Sequence, residues 1–201
     1  MPSSNPTPGA ALTDADVVSA AARGELPEWA VASADRRAHM GRVAALMGEW
    51  AGALGLPDRE RTEWVALGYL HDALRDAPEA QLREEVPDHF RDLPGPLLHG
   101  PAAAERLAGV VSPALLAAIR YHTVGHPSLD RAGRALYLAD FLEPGRDFAQ
   151  EWRDGLSRRM PRELDEVLIE VVASRIRHLL DGRKPIRAET AAFWSALVGR
   201  R

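Results

Sequence analysis

Six residues define the chemistry open to this chain: His39, the adjacent pair His71 and Asp72, His99, His122 and Asp140, in the order H…HD…H…H…D. Imidazole and carboxylate are the nitrogen and oxygen donors that first-row divalent metals take, and a set of six exceeds what a single tetrahedral site uses. The set points to a pair of divalent metal ions. Such pairs polarise phosphoryl oxygens and acidify water, so hydrolysis of a phosphate ester or anhydride is the leading chemistry. Any one of these histidines could be an ordinary hydrogen-bonded core residue, and an isolated His-Asp dipeptide arises readily by chance. The ordered set of six resists that explanation.

The rest of the composition narrows the setting. There are no cysteines, which excludes disulfides and thiolate metal sites and leaves nitrogen and oxygen as the only ligand atoms. The net charge is -4, with acids and bases interspersed, so no basic stripe suggests nucleic-acid binding. An acidic protein that handles an anionic phosphate needs locally bound positive charge, which metals would supply. The first residues, MPSSNPTPGAAL, lack the basic start and apolar run of a secretory signal, and no apolar stretch reaches the ~18 residues of a membrane span. A cytoplasmic protein without a membrane partner is the default expectation. No feature of the chain bears on its oligomeric state.

The pattern that must position the six residues is helical throughout. Residues 1–12, rich in Pro, Ser and Gly, read as a flexible tail, and 13–201 as one domain. Thr13 and Asp16 open a short helix; Ser33 can cap a long one to about Leu54; Asp58 can cap the next, which reaches His71. Pro78 starts a short helix to about Glu85, and Pro94, Gly95 and Pro96 mark a loop. Ser112 followed by Pro113 opens a helix that carries the chain to His122. Further helices are expected near 130–141, 147–158, 162–181 and 188–198. With no sustained alternation and no internal repeat, the fold class is all-α, a compact bundle of short and medium helices.

Helical spacing places the candidate ligands inward. His39 shares a face with Val43, Leu46, Met47 and Trp50. His71 follows Gly68, Leu67 and Trp64, His122 follows Ile119 and Leu115, and Asp140 follows Leu136 and Gly133, all at helical offsets. A carboxylate facing a core costs several kcal/mol unless it is paired or coordinated, so Asp140 needs a partner.

The segments LHDALRD, LLHGPAAA, AIRYHTVG, LYLADFLEPGRDF and GRKPIRAET resemble those of the HD-domain phosphohydrolases, and more narrowly the YqeK-like symmetrical diadenosine tetraphosphate hydrolases. The similarity spans roughly residues 33–198. LHD is weak alone, whereas HT-x-G followed by ADFLEP-x-R is specific. The resemblance implies an HD-domain helical bundle with a di-metal site at its centre. His39, His71, Asp72 and Asp140 would hold one ion, His99 and His122 the second, with Asp72 bridging. It further implies that the ions are iron, with manganese or zinc as alternatives for this mixed ligation.

The same resemblance assigns substrate contacts. Arg75 stands where the family usually has a phosphate-contacting lysine, keeping the charge but presenting it as a planar fork. Arg36, Thr123 and Arg146 match substrate-contacting positions. Arg183, Lys184, Pro185, Ile186 and Arg187 match a stretch that closes over the nucleoside; Ala188-Glu189 follows where Pro-Asp is common, a departure that bears on base selectivity. His126 falls at a position with a polar or basic residue in the family, where it could touch a distal phosphate or be a plain loop histidine, the favoured reading; His89 and His178 read as structural or surface residues.

In the mechanism so implied, a metal-bridging hydroxide attacks the central anhydride of diadenosine tetraphosphate, giving two ADP, with Asp72 and Arg75 as the catalytic pair. Two alternatives compete. One is an enzyme of the same superfamily acting on a nucleoside monophosphate, another dinucleoside polyphosphate or a cyclic nucleotide. The other is a non-catalytic nucleotide-binding regulator that keeps the fold, against which the retention of all six ligand types argues.

Overall fold

The computed structural model describes residues 14–199, and among them every regular element is helical. The expected tail and Thr13 lie outside the described residues. The chain forms α1 (Asp14–Ala22), α2 (Ala34–Ala53), α3 (Asp58–Leu70), α4 (Glu79–Glu85), α5 (His99–Arg106), α6 (Pro113–Tyr121), α7 (Arg131–Leu142), α8 (Gln150–Arg159), α9 (Leu164–Asp181) and α10 (Ala188–Val198).

Side-chain caps set the starts of α2, α6 and α7. The Ser33 hydroxyl accepts from the Arg36 amide and the Ser112 hydroxyl from the Leu115 amide, with Pro113 fixed in the first turn behind it. Asp130 caps α7 by accepting from the Gly133 amide. Asp58 departs from the expected cap: Pro57 occupies that position and Asp58 is the first helical residue, where its charge favours the positive end of the helix instead. The expected loop at Pro94–Pro96 winds into a 3₁₀ turn at Gly95–Leu97. Helix α5 was not expected from the sequence, because Gly100 and Pro101 both discourage a helical reading. Pro101 sits in the first turn, where its missing N–H is one the helix could not have bonded anyway.

Helix α7 is the axis of the bundle. Its residues Ala135 through Asp140 are all buried, so it is enclosed on every side rather than along one stripe. Helices α2, α3, α6, α8 and α9 surround it. Large apolar side chains such as Met47, Leu67, Leu136 and Ile119 fill the space between, each contributing about 1.5–3 kcal/mol by leaving water.

Two glycines set how closely the ligand-bearing helices approach. A Cβ on Gly68 would lie 2.4 Å from the Ala44 Cα, so α3 can cross α2 only with hydrogen at that position. A Cβ on Gly100 would lie 2.9 Å from the Ile119 carbonyl oxygen and 3.2 Å from the His122 ring, so the start of α5 abuts the end of α6. The turn after α3 is tied back to the segment before α2 by Val31 N–H to Ala73 O at 2.7 Å and Ser33 N–H to Asp76 Oδ2 at 2.8 Å.

Candidate metal centre

All six residues come together from five helices and the turn after one of them. His39 lies in the second turn of α2; His71 is the C-cap of α3 and Asp72 the first residue of the turn beyond it; His99 opens α5; His122 is the C-cap of α6; Asp140 sits in the last turn of α7. Every one of them is buried. Neighbouring imidazoles meet edge to face, with centroids 5.6 Å apart for His39–His71, 4.9 Å for His71–His122 and 5.0 Å for His99–His122.

Each imidazole is oriented by an acceptor at Nδ1. Three use the carbonyl three residues earlier: His71 to Gly68 O at 3.0 Å, His99 to Pro96 O at 3.0 Å and His122 to Ile119 O at 2.8 Å. The fourth, His39, meets Glu143 Oε1 at 3.1 Å. Carbonyl partners assign the proton to Nδ1 and turn the Nε2 lone pair inward, the tautomer that ligates metal. The Nε2 atoms of His39 and His71 are buried and have no hydrogen-bond partner, and those of His99 and His122 face each other at 3.1 Å. Two lone pairs so placed repel unless a cation lies near them.

The Asp72 carboxylate divides this set in two. Its Oδ1 lies 3.0 Å from His99 Nε2 and 3.5 Å from His122 Nε2. Its Oδ2 lies 3.6 Å from His39 Nε2 and 3.5 Å from His71 Nε2. Asp140 Oδ1 is 3.1 Å from His39 Nε2, on the second of these sides. Ligand atoms of His39, His71 and Asp140 fall within 4.8 Å of one another, as do those of His71, Asp72 and His122. The donor chemistry fits divalent cations: inward lone pairs and carboxylate oxygens converge, and burial makes their desolvation costly unless positive charge compensates.

Arginines line the solvent side. Arg36 Nη1 bonds Asp72 Oδ2 at 2.8 Å and Arg146 bonds Asp140 Oδ1, both guanidiniums being partly exposed. Burial pushes the Asp72 carboxyl up, but His71, His122 and His99 outweigh it and hold the group well below the usual carboxylate range. For Asp140 burial is likewise outweighed, by His39, His71 and Arg146. Burial also pushes the His99 imidazole down despite the pull of Asp72, with the charges of His122 and Arg75 acting in the same direction; Arg75 is half-buried in the turn after α3.

The other expected contacts are less gathered. Thr123 is half-buried in the loop after α6, its carbonyl held by Arg175 Nη2 at 2.8 Å. Arg183, Lys184, Pro185 and Ile186 are exposed, and Arg187 reaches the Asp92 carbonyl at 3.5 Å. His126 stacks on Tyr121 at 4.2 Å and meets Ser128 Oγ at 2.6 Å. His178 is exposed, and His89 is exposed with its ring 4.1 Å from Phe90.

Three functional neighbours escaped the sequence analysis. Glu143 is almost fully buried beside His39, with Arg42 Nε on its Oε2 at 2.5 Å. Buried Arg153 donates to the carbonyls of Phe141, Glu143 and Arg146, holding the loop that carries both Glu143 and Arg146. Arg175 fixes the Thr123 loop from α9. The only signal for Glu143 was its place in the EPGR run that follows Asp140; the two arginines carried none.

Comparison with known proteins follows the same lines. The model of the HD domain family matches residues 36–145, which contain all six residues of the centre. A symmetrical bis(5'-nucleosyl)-tetraphosphatase from Bacillus subtilis is 30% identical over 149 residues, covering 70% of this chain and 78% of that protein. A protein of the same name from Halalkalibacterium halodurans is 27% identical over 147 residues, again covering 70% of this chain and 78% of its own length. The crystal structure of a predicted HD superfamily hydrolase involved in NAD metabolism from Clostridium acetobutylicum superposes with a TM-score of 0.73 at 24% identity, covering 95% of this chain and all of that one.

Proposed function

Because this chain belongs to the HD domain family, we propose that it is a metal-dependent phosphohydrolase that cleaves a dinucleoside tetraphosphate symmetrically, diadenosine tetraphosphate foremost, to two nucleoside diphosphates. One observation carries the reading: four imidazole lone pairs and two carboxylates are buried around a common space that calls for cations. The names of the relatives supply the substrate class.

In this reading His39, His71, Asp140 and Asp72 would hold one divalent ion, and His99, His122 and Asp72 would hold the other. Iron is the first candidate, with manganese and zinc compatible with the same ligands. Bound there, the ions supply Lewis acidity toward phosphoryl oxygens and lower the pKa of water. The chain's own groups do the rest. Asp72 and Asp140 remove part of the ionic charge and leave a site attractive to phosphate in an acidic protein. Arg36 and Arg146, partly exposed beside those carboxylates, would grip phosphate oxygens, and Arg75 would stabilise charge on the departing nucleotide. Thr123 would contact the phosphate chain, and Arg183, Lys184, Pro185, Ile186 and Arg187 would enclose the nucleoside. A cytoplasmic place of action accords with a nucleotide substrate.

Product analysis tests the proposal. Iron- or manganese-loaded protein given diadenosine tetraphosphate in labelled water should release ADP alone, with one labelled oxygen on the terminal phosphate of one of the two molecules. AMP plus ATP would mean a register shifted by one phosphate, and phosphate release from nucleoside monophosphates without dinucleotide cleavage would move the chain to a different activity.

A further inference from the structure

Three of the four histidines solve the problem of orientation alike, and the fourth cannot. His71 and His122 close their helices and His99 opens one, so the carbonyls of Gly68, Ile119 and Pro96 have capacity to accept from the imidazoles three residues later. His39 lies in the interior of α2, where backbone carbonyls are committed to the helical ladder. Its Nδ1 needs an acceptor from elsewhere, and α7 delivers one: Glu143, the C-cap of that helix.

The carboxylate is held from both sides. Arg42 Nε at 2.5 Å and the Gly145 amide at 2.7 Å donate to Oε2, while Oε1 meets His39 Nδ1 at 3.1 Å, with Arg42 Nη2 at 3.5 Å and Arg146 Nε at 3.7 Å beyond it. Arg42 lies one turn after His39, so α2 presents the imidazole and a compensating guanidinium to the same buried acid. That guanidinium and the Gly145 amide supply the opposite charge and the hydrogen bonds that a buried carboxylate needs beside His39. An ionised carboxylate at Nδ1 raises the basicity of the opposite nitrogen more than a carbonyl does.

On the reading of the six residues as metal ligands, we propose that Glu143 is a positioning residue that makes the two halves of the centre unequal, strengthening His39 as a ligand so that the His39–His71–Asp140 half fills first. The His99–His122 half, oriented by carbonyls alone, fills second.

Titration of the metal-free full-length protein with Mn²⁺, followed by calorimetry and by the loss of the free-ion paramagnetic resonance signal, should show two steps. Glu143→Gln should weaken the first step by about tenfold to a hundredfold, the usual range for a lost outer-sphere partner, and leave the second within about twofold. A double-mutant cycle locates the effect. With His99 and His122 both changed to Ala, Glu143→Gln should still weaken the remaining step; with His39→Ala it should change nothing. Glu143→Asp, which keeps the charge for Arg42 but withdraws it from His39, should also weaken the first step and serves if the Gln variant fails to fold. Equal loss in both steps, no loss in either, or coupling to His99 instead of His39 would overturn the proposal. A wild-type protein that takes up no Mn²⁺, Zn²⁺ or iron would instead overturn the reading of the ligands themselves.

Discussion

The metal centre and the segment from Arg183 to Arg187 are built on opposite plans. In the centre each of the six side chains is buried, each imidazole has its Nδ1 fixed by a named acceptor, and each carboxylate accepts from an arginine. In the segment, four of five side chains face solvent. Reactive groups that must hold a geometry to a fraction of an ångström are best locked by packing before any substrate arrives, whereas the groups proposed to meet the substrate's outer end would be ordered by it. The contrast yields a gradient of expected effects, largest where the fold has committed most.

The largest belongs to Asp72, whose two oxygens face different histidine pairs. Asp72→Ala should abolish turnover and uptake of both ions. Manganese at a hundredfold excess over its dissociation constant should raise the wild-type melting temperature by about 5–10 °C, from ~2.7 kcal/mol of linkage at roughly 2–4 °C per kcal/mol. The variant should show no such rise on a differential scan. Retention of one ion would mean that the two halves stand without their shared carboxylate.

Next is Arg146, partly exposed at the mouth yet held by the buried Arg153 loop. It belongs to both plans. Arg146→Ala should lower kcat/KM for diadenosine tetraphosphate by about tenfold to a hundredfold, the worth of one hydrogen bond to a charged group, chiefly through KM. A loss confined to kcat would move the guanidinium from anchoring the ground state to stabilising the transition state.

The same gradient governs what could be read from the sequence. The six buried residues were legible because their order repeats a family pattern and because helical offsets tie His39, His71, His122 and Asp140 to apolar neighbours, as His39 is tied to Val43 and Met47. The long helices were legible through caps at Ser33 and Ser112. Helix α5 was not, since its first turn contains Gly100 and Pro101, tolerated only because N-terminal amides need no partner within the helix. Glu143 was missed for a physical reason: its contact with His39 spans 104 positions, and the need for it arises only from the backbone geometry around an interior histidine. Arg153 was missed because its partners are carbonyls, which every residue carries.

The exposed segment itself offers a smaller and two-sided test. Arg183 follows the end of α9 with φ of 49°, the left-handed conformation that helix ends usually give to glycine. Arg183→Gly should relieve about 1 kcal/mol of backbone strain and raise the melting temperature by about 2–4 °C. If the arginine also contacts the nucleoside, KM should rise by a few-fold at the same time, a stability gain traded for recognition. A gain in stability with unchanged KM would return Arg183 to the surface and leave recognition to Lys184, Ile186 and Arg187.

The smallest effect is expected where neither plan applies. Glu85 at the end of α4 accepts from Arg106 at the end of α5, with Nη2 to Oε1 at 2.6 Å, on the far end of the helix that opens with His99. Bonds from Arg106, helped by Gln81 and opposed by burial, hold the Glu85 carboxyl below its usual 4.5. A depressed carboxylate contributes stability that is present above the unfolded value and fades as the pH falls through the folded one. The Arg106 side chain is 41% exposed, so solvent screening limits the pair to under about 1 kcal/mol. Glu85→Gln should therefore lower the melting temperature by at most about 2–4 °C at pH 7, a loss that shrinks as the pH falls below the usual carboxylate value and Glu85 itself becomes protonated. Because α5 is also anchored at its start by the His99 and Gly100 packing, metal affinity and kcat should not change. A shift in Mn²⁺ affinity in this variant would show that the α4–α5 tie reaches His99 along one short helix, and the boundary between committed centre and ordinary surface would have to be drawn outside α5.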